Sequence, residues 1–286
     1  MEATMQTTAV QPNEEAAHDF TYIPRGPVTA ELKFYAPPAD GAKPFDYPGK
    51  IEPPEGLPKR NFGDADIPMT ITDVRGRESF FNLDDNGFCL LKSGSSAEVD
   101  FASDESIKPI YYPELEKFLL QNVPGAERVL PFDHTVRPLA GLRPPVLRVH
   151  IDQTPAAAAE RVCHVLPDEA KRLLKNRVRI INVWRPLNGP VQCSPLAFAD
   201  SKTVVDESLV AVERRFPDRV VETISVKHAD EQWYYWSGMV NDERLLLECF
   251  DSEKGGRVPH SAFEDPRSPV GSRPRESVEV RVLVFG

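Results

Sequence analysis

The chain has 286 residues, 41% hydrophobic and 27% charged, a composition able to bury a large core and incompatible with disorder throughout. A formal net charge of -10 and a pI near 5.2 exclude an extended phosphate-binding surface, which needs clustered Lys and Arg to displace counterions. No stretch reaches the roughly 20 apolar residues of a membrane span, and the N-terminus lacks a basic, then apolar, leader, so nucleic acid and membrane are not expected partners and the expected location is cytoplasmic.

Residues 1–60 are rich in Pro, Gly, Glu and Ala, with one strand-like run over 31–36 (ELKFYA), and read as an extended arm laid over the body. MTITDV and SFFNL then read as short strands, with DDNG as a turn. Tyr112 to Val123 is an amphipathic helix, with Pro113 in its first turn and Leu115, Phe118 and Leu119 at helical spacing. Residues 154–175 form a second helical region with Thr154 as N-cap and Pro155 at the first position, restarted after Pro167 and Asp168. Lys202 to Arg215 reads as a third helix burying Leu209, Val210 and Val212.

Strands are expected at VLRVHID, VRIINVW, VVETISV, EQWYYW, RLLLECF and SVEVRVLVF. In the last, Val278, Val280, Val282 and Val284 alternate with Glu279, Arg281 and Leu283, a period-two signal for a partly buried strand. Many strands at short intervals, with few helices and no GxGxxG or P-loop, point to a mainly β sandwich or barrel with flanking helices. The expectation is one domain over 1–286, its core over 130–286. The four cysteines, Cys89, Cys163, Cys193 and Cys249, show no zinc spacing and are expected to be reduced and buried.

The chemistry lies in the order of a few polar residues. His150 and Asp152 stand two apart at the end of a strand-like run, and in an extended segment residues i and i+2 share a face, so both can address one metal ion. Two imidazoles and a carboxylate on one side of Fe(II) leave positions open for an oxoacid and O₂. His260 supplies the second imidazole 110 residues later. Arg275-Glu276-Ser277 opens the final strand, and Arg-x-Ser offers a permanent cation and a hydroxyl on one face, suited to a distal carboxylate. His-x-Asp, His, Arg-x-Ser is the order in which double-stranded β-helix oxygenases present metal and cosubstrate groups.

Six segments in order strengthen this reading: FDHTVR (132–137), VHIDQTP (149–155), INVWRPLNGPVQCSPLAFAD (181–200), WYYWSGMVNDERLLLECFDS (233–252), VPHSAF (258–263) and PRESVEVRVLVF (274–285). Through them the chain resembles the fungal and bacterial hydroxylase/desaturase family that includes aspergillic acid hydroxylase, a fungal gibberellin desaturase and the cephamycin 7-alpha-hydroxylase component. The resemblance implies a double-stranded β-helix (jelly roll, cupin-like). It also implies Fe(II) on His150, Asp152 and His260, 2-oxoglutarate on Arg275 with Ser277, and O₂-dependent hydroxylation or desaturation of a small secondary metabolite. Relatives tend to carry His-Arg before Trp-Tyr-Tyr where this chain has Glu231-Gln232, so no ligand role passes to His228. The long step from His260 leaves Arg273 and Arg281 open as alternative anchors.

Candidate substrate residues are His134, Arg137, Asn182, Trp184 and Arg185. Alternation sends Asn182 and Trp184 to one face and Val183 and Arg185 to the other. Arg185 is expected to pair with Asp200 or Asp206, or else with a substrate carboxylate. His18 and His164 are expected in the N-terminal tail and on a helix face, without function. The Trp233–Trp236 cluster reads as sheet core or interface, and either a monomer or a homodimer is compatible with the sequence. Two rival readings stand beside the oxygenase: a non-catalytic jelly-roll ligand-binding protein, and a cupin-type metalloenzyme independent of 2-oxoglutarate. Neither of them needs Arg275-x-Ser277.

Overall fold

A computed structural model describes residues 22–98, 100–137, 144–255 and 257–286; His18 and the first part of the arm lie outside them. The strands are β1 (Val28–Ala36), β2 (Phe45–Asp46), β3 (Gly63–Asp73), β4 (Phe88–Lys92), β5 (Arg128–Arg137), β6 (His150–Ile151) and β7 (Val178–Pro186). They continue with β8 (Leu196–Ala199), β9 (Leu209–Arg215), β10 (Val220–Val226), β11 (Trp233–Tyr235), β12 (Glu243–Asp251), β13 (His260–Ala262) and β14 (Ser277–Phe285). The helices are α1 (Leu83–Asn86), α2 (Asp104–Ser106), α3 (Tyr112–Asn122), α4 (Pro155–Val165) and α5 (Ala170–Leu173). A nine-stranded sheet runs β1-β3-β11-β8-β13-β6-β10-β9-β2 and a five-stranded sheet runs β4-β12-β7-β14-β5, giving the mainly β jelly roll with flanking helices.

The alternation in β14 decides what each face of the small sheet does. Val278, Val280, Val282 and Val284 pack with Ile181, Val183 and Leu246 against Leu115 and Leu119 of α3. Burying side chains of that size contributes about 1.5–3 kcal/mol each, which fixes the helix on this outer face. The opposite face of β14 turns Leu283 toward the nine-stranded sheet, in a cluster with Ile180, Ile151, Leu32 and Trp233 that joins the two sheets. Glu279 and Arg281 share that inner face and border a cavity.

The helix signals around 112 and 154 hold: Pro113 lies in the first turn of α3, and the Thr154 hydroxyl accepts from the Ala157 N–H at 3.1 Å with Pro155 opening α4. The helix expected over 202–215 is not formed. Short 3-10 turns at Ser201–Thr203 and Asp206–Ser208 lead into β9, which pairs along its length with β10. Its β-branched valines fit a pleated strand, and partner strands on both sides supply hydrogen bonds an isolated helix would not outcompete.

SFFNL and DDNG also differ from expectation, giving a 3-10 turn and α1 in place of a strand and turn. The Asn82 side chain accepts from the Asp85 N–H, Asp84 and Asp85 sit at the positive helix end, and Gly87 closes it with φ of 74°. A Cβ at Gly87 would lie 2.7 Å from Val258 Cγ2, so glycine is required on two counts. The arm is not merely laid over the body: β1 pairs with β3 over nine residues, and β2 pairs in parallel with β9. Trp233, Tyr235 and Trp236 are core. Of the free cysteines, Cys89 and Cys249 are buried as expected, whereas Cys163 is exposed on α4 and Cys193 is half-buried.

Candidate metal centre

Antiparallel register brings the two key histidines together. His150 on β6 pairs directly with His260 on β13, and their ring centroids are 4.4 Å apart. Asp152 follows two residues after His150 on the same face, with Oδ1 3.6 Å from His150 Nε2. One ligand atom from each of His150, Asp152 and His260 lies within 4.8 Å of the others.

Main-chain carbonyls set the tautomers. His150 Nδ1 lies 2.8 Å from the Arg148 carbonyl and His260 Nδ1 lies 3.0 Å from that of Val258. A carbonyl only accepts, so each Nδ1 carries a proton, which leaves Nε2 of each ring as the nitrogen that can donate a lone pair to a metal. Burial, helped by His260, pushes the His150 imidazole down to about 3 and keeps it neutral. Burial opposes the charge on Asp152, but the Arg281 guanidinium beside it outweighs that and holds the carboxyl well below the usual carboxylate range. Asp152 Oδ2 accepts from Asn182 Nδ2 at 2.8 Å and Arg281 Nε at 2.7 Å. That leaves Oδ1 on the histidine side. Two imidazoles and one singly available carboxylate oxygen on one side, each oriented by a second hydrogen bond, fit Fe(II).

The triad borders a cavity of about 290 Å³ between the sheets, also lined by Trp184, Arg137, Arg275, Glu279 and Arg281. Arg275 is 7% exposed, lies 5.1 Å over the Trp184 ring, and its Nε and Nη1 are buried without a hydrogen-bond partner. Burial, with Arg137 nearby, pulls its pKa down to about 9. An incoming carboxylate would relieve that desolvation. The alternative anchors are already engaged. Arg273 is exposed and bonded to Glu276 at 2.9 Å, while Arg281 holds Asp152, Glu279 and Asp133. Ser277 is buried but does not line the cavity.

Of the substrate candidates, Arg137, Asn182 and Trp184 turn to this side and two others do not. Arg137 Nη1 donates to the Pro144 carbonyl at the cavity edge. His134 bonds Tyr112 Oη at 2.8 Å and lies 3.2 Å from Asp104, on the face toward the helices. Arg185 packs over Phe101 and Tyr111 on that same outer face. Asp200 instead bonds Asn86, and Asp206 meets Arg257, so aromatic faces replace the expected ion pair. His228 lies 3.8 Å from Glu231, and His164 is exposed on α4, outside the centre.

Sequence reasoning missed the hold on Asp152. Asn182 and Arg281 are direct partners in the β7–β14 register. Their alternation alone places both on the inner face, and the signal was readable once those two strands were paired.

A family model described as an oxidoreductase/YMDC permease-like domain matches residues 32–285. The hydroxylase/desaturase poxK of Penicillium oxalicum is 34% identical, with 99% of each chain covered. The Fe(II)/2-oxoglutarate-dependent dioxygenase nvfI of Aspergillus novofumigatus is 31% identical over 90% of this chain and 96% of its own. The solved structure of the iron and alpha-ketoglutarate-dependent endoperoxidase NvfI superposes with a TM-score of 0.83 at 28% identity, covering 92% of this chain and 99% of that one. Among the described residues no helix is long and apolar enough to cross a membrane.

Proposed function

The chain belongs to the hydroxylase/desaturase family of Fe(II)/2-oxoglutarate oxygenases, and from that premise we propose that His150, Asp152 and His260 hold its iron and that Arg275 anchors the cosubstrate. It is a 2-oxoglutarate-dependent non-haem iron dioxygenase that hydroxylates or desaturates a small molecule of the secondary-metabolite type. We read 1–286 as one oxygenase unit, because β1 and β2 are strands of the same sheet that carries the histidines. The observation that carries the assignment is the pairing of the three convergent donor atoms with a buried arginine whose N–H groups lack partners, on the wall of one cavity.

Bound iron, with 2-oxoglutarate and O₂, supplies the oxidising power to remove hydrogen from an unactivated C–H bond. The protein supplies placement. His150 and His260 tie Nδ1 to main-chain carbonyls and leave Nε2 as the donor atom, and Asn182 and Arg281 keep Asp152 offering one oxygen. Arg275 offers its fork to the distal carboxylate, with Trp184 closing the space beneath it. Leu196 and Ala262 add apolar wall that keeps water from the reacting carbon.

With Fe(II), 2-oxoglutarate and air, the chain is expected to release CO₂ and succinate in equal amounts, followed by product assay of both. A chain that binds Fe(II) and 2-oxoglutarate together yet forms no succinate with any candidate substrate would overturn the oxygenase reading in favour of a binding role.

A further inference from the structure

The cavity has a second wall that iron and cosubstrate leave unused. His150 stands opposite Ser225 of β10, Thr223 of β10 stands opposite Val212 of β9, and Arg214 follows Val212 on the same face. Asp46, brought in by β2, is the register partner of Arg214 and closes that end. The floor therefore runs from the triad across two strands to a cation supplied by β9 and a rim supplied by the arm.

Arg214 differs from Arg148 and Arg281 of this cavity. Arg148 is held by both oxygens of Asp64 at 2.6 and 3.0 Å, and Arg281 is held by Asp152 and Glu279. Arg214 faces Asp46 at 3.4 Å from Nε to Oδ1, and neither of these buried atoms makes a hydrogen bond. Its side chain is 37% exposed, so the rest of the fork is open to a ligand. Burial also works against the charge on Asp46, which weakens it as a counterion. The cavity lining holds more arginines than carboxylates. Fe(II) and 2-oxoglutarate, carrying opposite double charges, do not change that balance.

Building on the oxygenase reading, we propose that Arg214 is a substrate anchor and that the substrate class is an organic acid, its carboxylate on Arg214 and its reacting carbon toward His150 and His260. Val212 and Phe62 give the body of such a molecule apolar contact on the way.

The test uses the full chain loaded with Fe(II) and saturating 2-oxoglutarate without air, loading being checked by the weak visible absorption the two produce together. Hydrocinnamate, its methyl ester and its primary amide are then titrated against wild type, Arg214→Gln and Arg214→Lys, followed by tryptophan fluorescence. Wild type is expected to bind the acid about tenfold tighter than the ester or amide, the worth of one charge-assisted contact. Arg214→Gln should lose that preference to within about twofold, Arg214→Lys should keep part of it, and both should keep the visible absorption. Absence of an acid preference in wild type, or its survival in Arg214→Gln, overturns the inference and leaves the oxygenase reading standing. Failure of the wild-type absorption takes both down.

Discussion

Replacing Asp152 with alanine is expected to abolish turnover and to weaken Fe(II) binding by more than the roughly 10- to 100-fold that losing an outer partner of a metal ligand costs. Asp152 is the only carboxylate of the His150–Asp152–His260 set, and no other acidic group offers its oxygen there among the described residues. The fold should persist. Arg281, left without Asp152, still holds Glu279 at 2.7 Å and Asp133 at 2.9 Å, so no buried cation is stranded. Competition for Fe(II) with a chromophoric chelator, alongside the circular dichroism of the apo chain, separates loss of the metal from loss of structure. Turnover retained in Asp152→Ala would contradict the ligand assignment.

Arg275→Gln is expected to raise the KM for 2-oxoglutarate by about 100-fold, since a buried hydrogen-bonded charge pair is worth roughly 3 kcal/mol. The same substitution removes a desolvated guanidinium whose Nε and Nη1 have no hydrogen-bond partner in the protein. The ligand-free variant should therefore melt at or above the wild-type temperature. An arginine with a purely structural role gives the opposite pair of results: unchanged KM and lower stability. Arg273→Gln is the control, because the Arg273 side chain is exposed and, among the described residues, pairs with Glu276 at the surface; it should change KM by no more than about twofold.

Local pattern carried much of this site. The i, i+2 relation of His150 and Asp152, the alternation of Asn182 with Val183 in β7, and the valine face of β14 all follow from a repeat of two that any strand imposes. The choice among Arg273, Arg275 and Arg281 did not follow from spacing. Three arginines at odd positions share one parity, and only their neighbours separate them: Glu276 engages Arg273, Asp152 engages Arg281, and Arg275 keeps Nε and Nη1 without a partner at the cavity wall.

The errors came where local pattern was ambiguous or the partner lay far away. Leu209, Val210 and Val212 fit a helix face as well as a strand, and pairing with β10 decided between them. Arg185 and His134 are substrate candidates in the sequence, yet their parity on β7 and β5 places them on the outer face, against Phe101, Tyr111 and Tyr112. The meeting of Asp46 and Arg214 depends on a parallel pairing between segments 168 residues apart, which no local period encodes.

The most direct test of the central claim is an anaerobic titration of Fe(II) and 2-oxoglutarate into wild type and His260→Ala, following the visible absorption that appears only when both bind the same centre. The account predicts a saturable band in wild type and none in His260→Ala; no band in wild type, or equal bands in the two proteins, would contradict it.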